Sequence, residues 1–322
     1  MPLDPDSIAA LGAAALPARG GAPQLDPILK GGSDRRYFRA RFPDGTAAIA
    51  MAYTAARPDN LAFADATETL RRFGVRVPAI LSHDRDRMLM WCEDCGAADL
   101  WACQNAPWPE RRDLYGKALR EAAKIHRGDP AHAAGEFQPP FDESLYRWEQ
   151  DYFSEHFGAL FCDPPASAPA SLGAMAAELA ALPRAPVHRD FQSQNVLVPG
   201  GEAVLIDYQG LRLGRPEYDV ASLLYDPYVP LAEPERTALI GDYCAAAGVA
   251  EDEFLQHFWK LAAQRLMQAL GAYGNLGVRQ GKAAFLAHVR PAVANLRLVC
   301  GREPALAPLA AMLRDECLRL PA

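Results

Sequence analysis

The chain has 322 residues, half of them hydrophobic and 23% charged, and a formal net charge of −7 at neutral pH. Such a composition builds a large core, as one big domain or as two lobes sharing a cleft, since single cores stop growing near roughly 250–300 residues. The acidic balance argues against a nucleic-acid partner, which needs a basic face, and no apolar run of about 18 residues suggests a membrane span.

Residues 5–18 read as a short helix, capped by Asp6 or Ser7 and ended by Pro17. No basic leader precedes this apolar stretch, so no secretory signal is expected. Gly20, Gly21, Pro23 and Pro27 mark residues 19–30 as extended linking structure. Residues 37–42 and 47–53 flank Pro43-Asp44-Gly45, a turn signal, and predict an antiparallel hairpin. Leu61, Ala64, Leu70 and Phe73 recur at near-helical spacing, giving a helix over 59–73 that Gly74 stops. Residues 77–81 and 88–92 read as two more strands. Glu93-Asp94-Cys95-Gly96 then breaks the apolar run.

From residue 97 the pattern turns helical. Leu114, Leu119, Ala122, Ala123 and Ile125 line one side of a helix over 110–127, whose His126 reads as a dipole-compensating histidine rather than a ligand. Tyr146, Trp148, Tyr152, Phe153 and Phe157 stripe a helix over 143–160, and another follows at 172–182. Helices at 233–248, 251–274, 281–300 and 305–319 close the chain. Seven cysteines, an odd number in a long chain, point to free thiols in a reducing cytoplasm. Cys92 and Cys95 form a Cys-x-x-Cys, but no second such pair or paired histidines complete a zinc site.

Between the helices lies VHRDFQSQNVLVPGGEAVLIDY, residues 187–208. His188-Arg189-Asp190, followed by Asn195, matches the protein-kinase catalytic loop, in which the Asp is the base and the Asn holds a metal. Two apolar runs around Pro199-Gly200-Gly201 predict a hairpin ending at Asp207, where kinases place their second metal carboxylate. The spacing has a physical reason. A base must meet the acceptor hydroxyl while an amide and a carboxylate grip Mg2+ on the phosphates of ATP, and a loop feeding a tight hairpin brings all three to one mouth. Asp219, at the start of an apolar helix, reads as a structural acceptor for the loop's backbone amides and not as a ligand.

In that frame Gly31-Gly32-Ser33 stands where a kinase covers the phosphates, and Glu93 to Cys95 where its hinge reads the adenine edge through backbone groups. One part is missing. The strand over 47–53 has no lysine where a kinase carries one, and the nearest cations are Lys30, Arg35, Arg36, Arg39 and Arg57. Glu68, on the following helix, then has no fixed partner.

The catalytic segment resembles the aminoglycoside-phosphotransferase superfamily. GSDRRYFR, Met51, Glu93-Asp94, IDYQG, YDVASLLYDPY and QRLMQALGAYGNLGVRQGKAAFLAHV resemble its bacterial branch of anomeric kinases acting on N-acetylmuramate and N-acetylglucosamine, over roughly residues 30–300. Two positions depart from that branch: Gly210 where an acidic residue is frequent, and Ala52-Tyr53-Thr54-Ala55 in place of an Asp-Ala-Pro-Pro run.

The resemblance implies an α+β, bilobal, protein-kinase-like fold, with a small β-sheet N-lobe over residues 1–96 and a larger helical C-lobe over 97–322. It implies Asp190 as base, Asn195 and Asp207 as magnesium ligands, and ATP contacts from Gly32, Ser33, Arg36, Glu93 and Cys95. The expected activity is phosphorylation of a small-molecule sugar. An aminoglycoside acceptor and a catalytically silent nucleotide-binding module are the alternatives.

Overall fold

The computed structural model describes residues 3–29 and 35–321. Helix α1 (Pro5–Ala15) opens the N-terminal lobe; its cap is Asp4, whose carboxylate takes the Ser7 amide at 2.8 Å, and not Asp6 or Ser7. Five antiparallel strands follow: β1 (Gln24–Ile28), β2 (Arg36–Arg41), β3 (Ala47–Ala52), β4 (Ile80–Asp84) and β5 (Leu89–Glu93), in the spatial order β1-β2-β3-β5-β4. The expected hairpin is β2-β3, closed by Asp44, which accepts from the amide and hydroxyl of Thr46, and by Gly45 at φ 84°.

Strand alternation divides this sheet into two faces. Phe38, Ala40, Ala48, Ala50 and Trp91 lie on one, buried with Ile8 of α1. Gly12 of α1 sits so close that a Cβ there would stand 2.6 Å from the Trp91 ring, so glycine sets the helix-to-sheet distance. Met51, Met90 and Cys92 lie on the other face, with Tyr37 and Ile49 packed against them.

Three sequence expectations change here. Residues 24–28 form β1 instead of a linker; Pro27 is tolerated because the strand is at the sheet's edge and needs no amide there. The helix over 59–73 is two pieces, α2 (Pro58–Leu61) and α3 (Phe63–Arg72), with Gly74 at φ 75° beyond it. The strand expected at 77–81 starts only at Ile80, after Pro78.

The C-terminal lobe is built from α4 (Trp108–His126), α5 (Glu143–Phe153), α6 (Ala159–Phe161), α7 (Ser171–Ala181), α8 (Pro216–Leu224), α9 (Glu233–Ala247), α10 (Glu251–Gly274), α11 (Val289–Cys300) and α12 (Ala307–Met312). Helix α10 packs on α5, α8 and α11, while α4 packs on α9. Fourteen residues of α10 are buried, from Phe254 to Gly274, which makes it the lobe's axis. The helix expected over 143–160 passes through a π turn, Ser154–Gly158, between α5 and α6. Its counterpart over 281–300 begins as a 3-10 segment, Ala283–His288, and becomes α11 with Pro291 in the first turn, where a missing amide costs nothing.

Two small ribbons hold the loop that matters. Strand β6 (Ala185–Val187) pairs with β9 (Arg212–Gly214), and β7 (Val196–Leu197) pairs with β8 (Val204–Leu205). The β7-β8 turn uses Gly200 and Gly201 at φ 58° and 80°. All seven cysteines are free. Burial pushes the Cys92 thiol up to about 12 and, with the Glu93 charge beside it, Cys95 up to about 11, so neither is a ready thiolate. Among the described residues no helix is long and apolar enough to cross a membrane.

Candidate active site

The His188-Arg189-Asp190 segment leaves β6 and is held from behind by one buried carboxylate. Asp219, in the first turn of α8, accepts the His188 amide at 2.6 Å and the Arg189 amide at 2.9 Å. That is the structural role its position suggested. These two bonds hold Arg189 at φ 79°, a left-handed backbone that costs on the order of 1–3 kcal/mol for a non-glycine residue. His126 completes the anchor: its Nε2 lies 3.1 Å from Asp219 and its Nδ1 2.7 Å from the Tyr243 hydroxyl. The last-turn histidine is also a buried bridge between Asp219 and Tyr243.

A second carboxylate holds the next turn. Asp226 Oδ2 accepts both the Ser193 amide at 2.8 Å and the Ser193 hydroxyl at 2.6 Å, and Oδ1 accepts the Tyr228 amide at 3.0 Å. Asn195 Nδ2 donates to the Asp190 carbonyl at 2.8 Å, which commits the amide nitrogen and turns its oxygen elsewhere. The Ile206 amide donates to the Asn195 carbonyl at 3.0 Å, and His188 Nε2 donates to the Ile206 carbonyl at 3.0 Å. Asp190, Asn195 and the segment leading to Asp207 are thus tied into one unit.

Asp190 itself is partly exposed, and its Oδ2 accepts from Arg189 Nη1 at 2.8 Å. Burial alone would raise its pKa. The charges of Arg189, then of Arg265, His188 and Arg212, outweigh that and hold it below the ordinary carboxylate value. Arg212 is placed by a bond from Nε to the Gly210 carbonyl at 3.1 Å and by the Phe141 ring beneath its guanidinium. A Cβ at Gly210 would stand 3.2 Å from Arg189 Cδ, so the glycine leaves room for that arginine.

Asp207 closes the hairpin at φ 63°. Its Oδ1 accepts from Gln209 Nε2 at 3.0 Å and from Arg35 Nη2 at 3.0 Å. The next residue, Tyr208, is fully buried, and its hydroxyl lies 2.9 Å from Thr67 Oγ1 on α3. Thr67 donates its own proton to the Phe63 carbonyl at 2.8 Å, so Tyr208 is the donor of that pair. Glu68, one residue on, pairs with Arg72 on the helix surface and takes no part in the site.

The expected nucleotide contacts separate. Gly32 and Ser33 lie outside the described residues. Arg36 is turned away: it donates to the Leu3 carbonyl and stacks on Phe38, on the α1 face of the sheet, because strand alternation puts it opposite Arg35. Arg39 is engaged by Asp94 at 2.7 and 3.1 Å. Glu93 gives its carboxylate to Arg76 and to the Ala79 amide, and the Cys95 side chain is buried, so both offer a nucleotide only their backbone. Met51, opposite Tyr37 and Met90, is buried. Of the arginines considered for the missing lysine, Arg35 is the one joined to Asp207.

Sequence reasoning missed Asp226 and Thr67. Tyr225-Asp226-Pro227-Tyr228 marks a helix end, which says nothing of a bond to Ser193 thirty-three residues earlier.

The donor set suits Mg2+, a hard cation that favours oxygen: the Asn195 amide oxygen, freed by the bond its nitrogen makes, and the Asp207 carboxylate. Asp190, Asn195 and Asp207, with Arg35 on the last of them, therefore stand on one hydrogen-bonded segment, an arrangement of the kind phosphoryl transfer asks for.

The sequence profile described as the phosphotransferase enzyme family matches residues 24–258. An N-acetylmuramate/N-acetylglucosamine kinase from Neisseria meningitidis serogroup B is 28% identical over 295 residues, covering 87% of this chain and 86% of that protein. Among solved structures, a choline/ethanolamine kinase family protein from Mesorhizobium loti superposes with a TM-score of 0.63 at 17% identity, covering 96% of this chain and 98% of that one. An aminoglycoside phosphotransferase, APH(4)-Ia, in ternary complex with ADP and hygromycin B gives a TM-score of 0.58 at 15% identity, over 89% and 98%. At such identities these two structures establish the fold: α+β, bilobal and kinase-like.

Proposed function

The chain belongs to the phosphotransferase enzyme family, and from that premise we propose that it is an ATP- and magnesium-dependent kinase of a cell-wall amino sugar, acting at the anomeric hydroxyl of N-acetylmuramate or N-acetylglucosamine. The relatives' names support the acceptor class. The observation that carries the reading is the setting of Asp190: its neighbours are Arg189 and Arg212. A polycationic aminoglycoside calls for acids there, whereas a neutral or carboxylate-bearing sugar is at home beside guanidinium groups.

Arg189 occupies Oδ2 of Asp190, so Oδ1 is the oxygen that meets the acceptor hydroxyl and receives its proton. A carboxylate held below its ordinary pKa is a weak base. That suits a loose phosphoryl-transfer transition state, in which the acceptor oxygen needs orientation more than early deprotonation. Asn195 and Asp207 would hold magnesium, which neutralises charge on the phosphates. Gly32 and Ser33 would cover those phosphates, and the backbone of Glu93 and Cys95 would read the adenine. Seven free thiols, five of them buried, fit a cytoplasmic protein.

The test is ADP release measured across N-acetylmuramate, N-acetylglucosamine, kanamycin and choline, with the product's phosphate located by phosphorus NMR. The reading expects ADP release only with the amino sugars and an anomeric phosphate. Turnover confined to kanamycin, or Mg-ATP binding with no transfer to any acceptor, overturns it.

A further inference from the structure

We infer that Arg35 is the phosphate-binding cation of this site, exchanging Asp207 for the nucleotide's phosphates when magnesium and nucleotide bind. The inference rests on the nucleotide-binding part of the reading above, and not on the acceptor or on turnover.

Three observations carry it. Strand β3 reads Ala47-Ala48-Ile49-Ala50-Met51-Ala52 and has no basic side chain to offer. Arg35 immediately precedes β2 and, two residues before Tyr37, lies on the sheet face that carries Tyr37, Met51 and Met90. Its side chain is 5% exposed, and its Nη2 is 3.0 Å from Asp207 Oδ1.

A guanidinium so buried needs anionic company, and one partner it has is the carboxylate that a magnesium ion would claim. The ion and Arg35 compete for Asp207. Phosphate oxygens resolve the competition, because two of them meet the planar fork of Arg35 as a bidentate partner at the moment its carboxylate is taken. Without nucleotide, Arg35 shields Asp207 from solvent cations. With nucleotide, it stands in for the lysine that β3 lacks.

A plain inter-lobe ion pair would behave differently. Removing one partner of such a pair loosens the site and weakens every ligand together. The exchange role makes two affinities move in opposite directions, and neither is a rate of turnover.

The experiment compares wild type with Arg35→Met. Mn2+ binding without nucleotide is followed by electron paramagnetic resonance, and ADP and adenosine binding at saturating Mg2+ by calorimetry. The expected result is tighter Mn2+ binding, ADP affinity lower by about 10- to 100-fold, the range of a lost charge-assisted contact, and unchanged adenosine affinity. Parallel loss of Mn2+ and ADP affinity, equal loss for ADP and adenosine, or unaltered ADP affinity each overturn the assignment. If Arg35→Met does not fold, Arg35→Lys serves: it should lower ADP affinity relative to adenosine through loss of the fork, and an unchanged ratio overturns the assignment. Wild type that binds no ADP sinks both readings, whereas an acceptor screen without turnover sinks only the sugar-kinase one.

Discussion

Asp226 holds Ser193 at two points with one oxygen: Oδ2 takes the backbone amide at 2.8 Å and the hydroxyl at 2.6 Å. The other oxygen takes the Tyr228 amide. An asparagine has one acceptor oxygen, so Asp226→Asn must turn its NH2 toward one of these two amides. We expect a loss of about 1–3 kcal/mol in urea unfolding, the cost of an unsatisfied buried donor. Ser193→Ala, which removes only the hydroxyl bond, should cost less. Equal losses would mean that the amide bond contributes nothing.

Asp190→Asn keeps the shape of the loop and removes the proton acceptor. Turnover should fall by about 10²–10⁴-fold, as for the loss of a positioned base, while ADP affinity stays within about twofold. Coupled ADP release and calorimetry give the two numbers. Near-wild-type turnover with any amino sugar would reject Asp190 as the base.

Tyr208→Phe tests the link between α3 and the Asp207 segment. The variant removes the donor to Thr67 at a buried position, and should lower stability by about 0.5–1.5 kcal/mol. It should also weaken Mn2+ binding, since Asp207 is the adjacent residue. A stability change with unaltered Mn2+ affinity would show that the two are not coupled.

Glu149 gives a pH test. It is fully buried, accepts from Tyr218 at 2.8 Å and Gln264 at 2.9 Å, and has its pKa raised, chiefly by burial. A raised acid binds its proton more tightly folded than unfolded. Its contribution to stability therefore falls as pH rises from the unfolded value of about 4.3 through the folded one. Glu149→Gln lacks that decline, so the difference in Tm, variant minus wild type, should increase between pH 5 and pH 8. A difference flat with pH would contradict the raised pKa.

What the sequence made legible was local. The Asp190, Asn195 and Asp207 spacing lies within eighteen residues and carries its own hairpin, so chemistry and geometry can be read together. Asp219 was legible because its helix begins there. Strand β1 was hidden by Pro27 and the paired glycines, which favour a linker until a neighbouring strand is present. The Arg35 to Asp207 pair spans 172 residues, and no periodicity joins them. Arg35, Arg36 and Arg39 are alike in sequence; only the sheet's two faces send Arg36 to Leu3 and Arg35 to the cleft.

The bridge from Asp219 through His126 to Tyr243 ends on α4 and α9, deep in the helical lobe. The amides of His188 and Arg189 terminate on that bridge, so the loop has no private way to come loose. Hydrogen exchange at those two amides should follow opening of the whole lobe and not local fraying. On heating, the loop and the lobe would then melt as one, leaving no temperature at which the lobe is intact and its catalytic loop disordered.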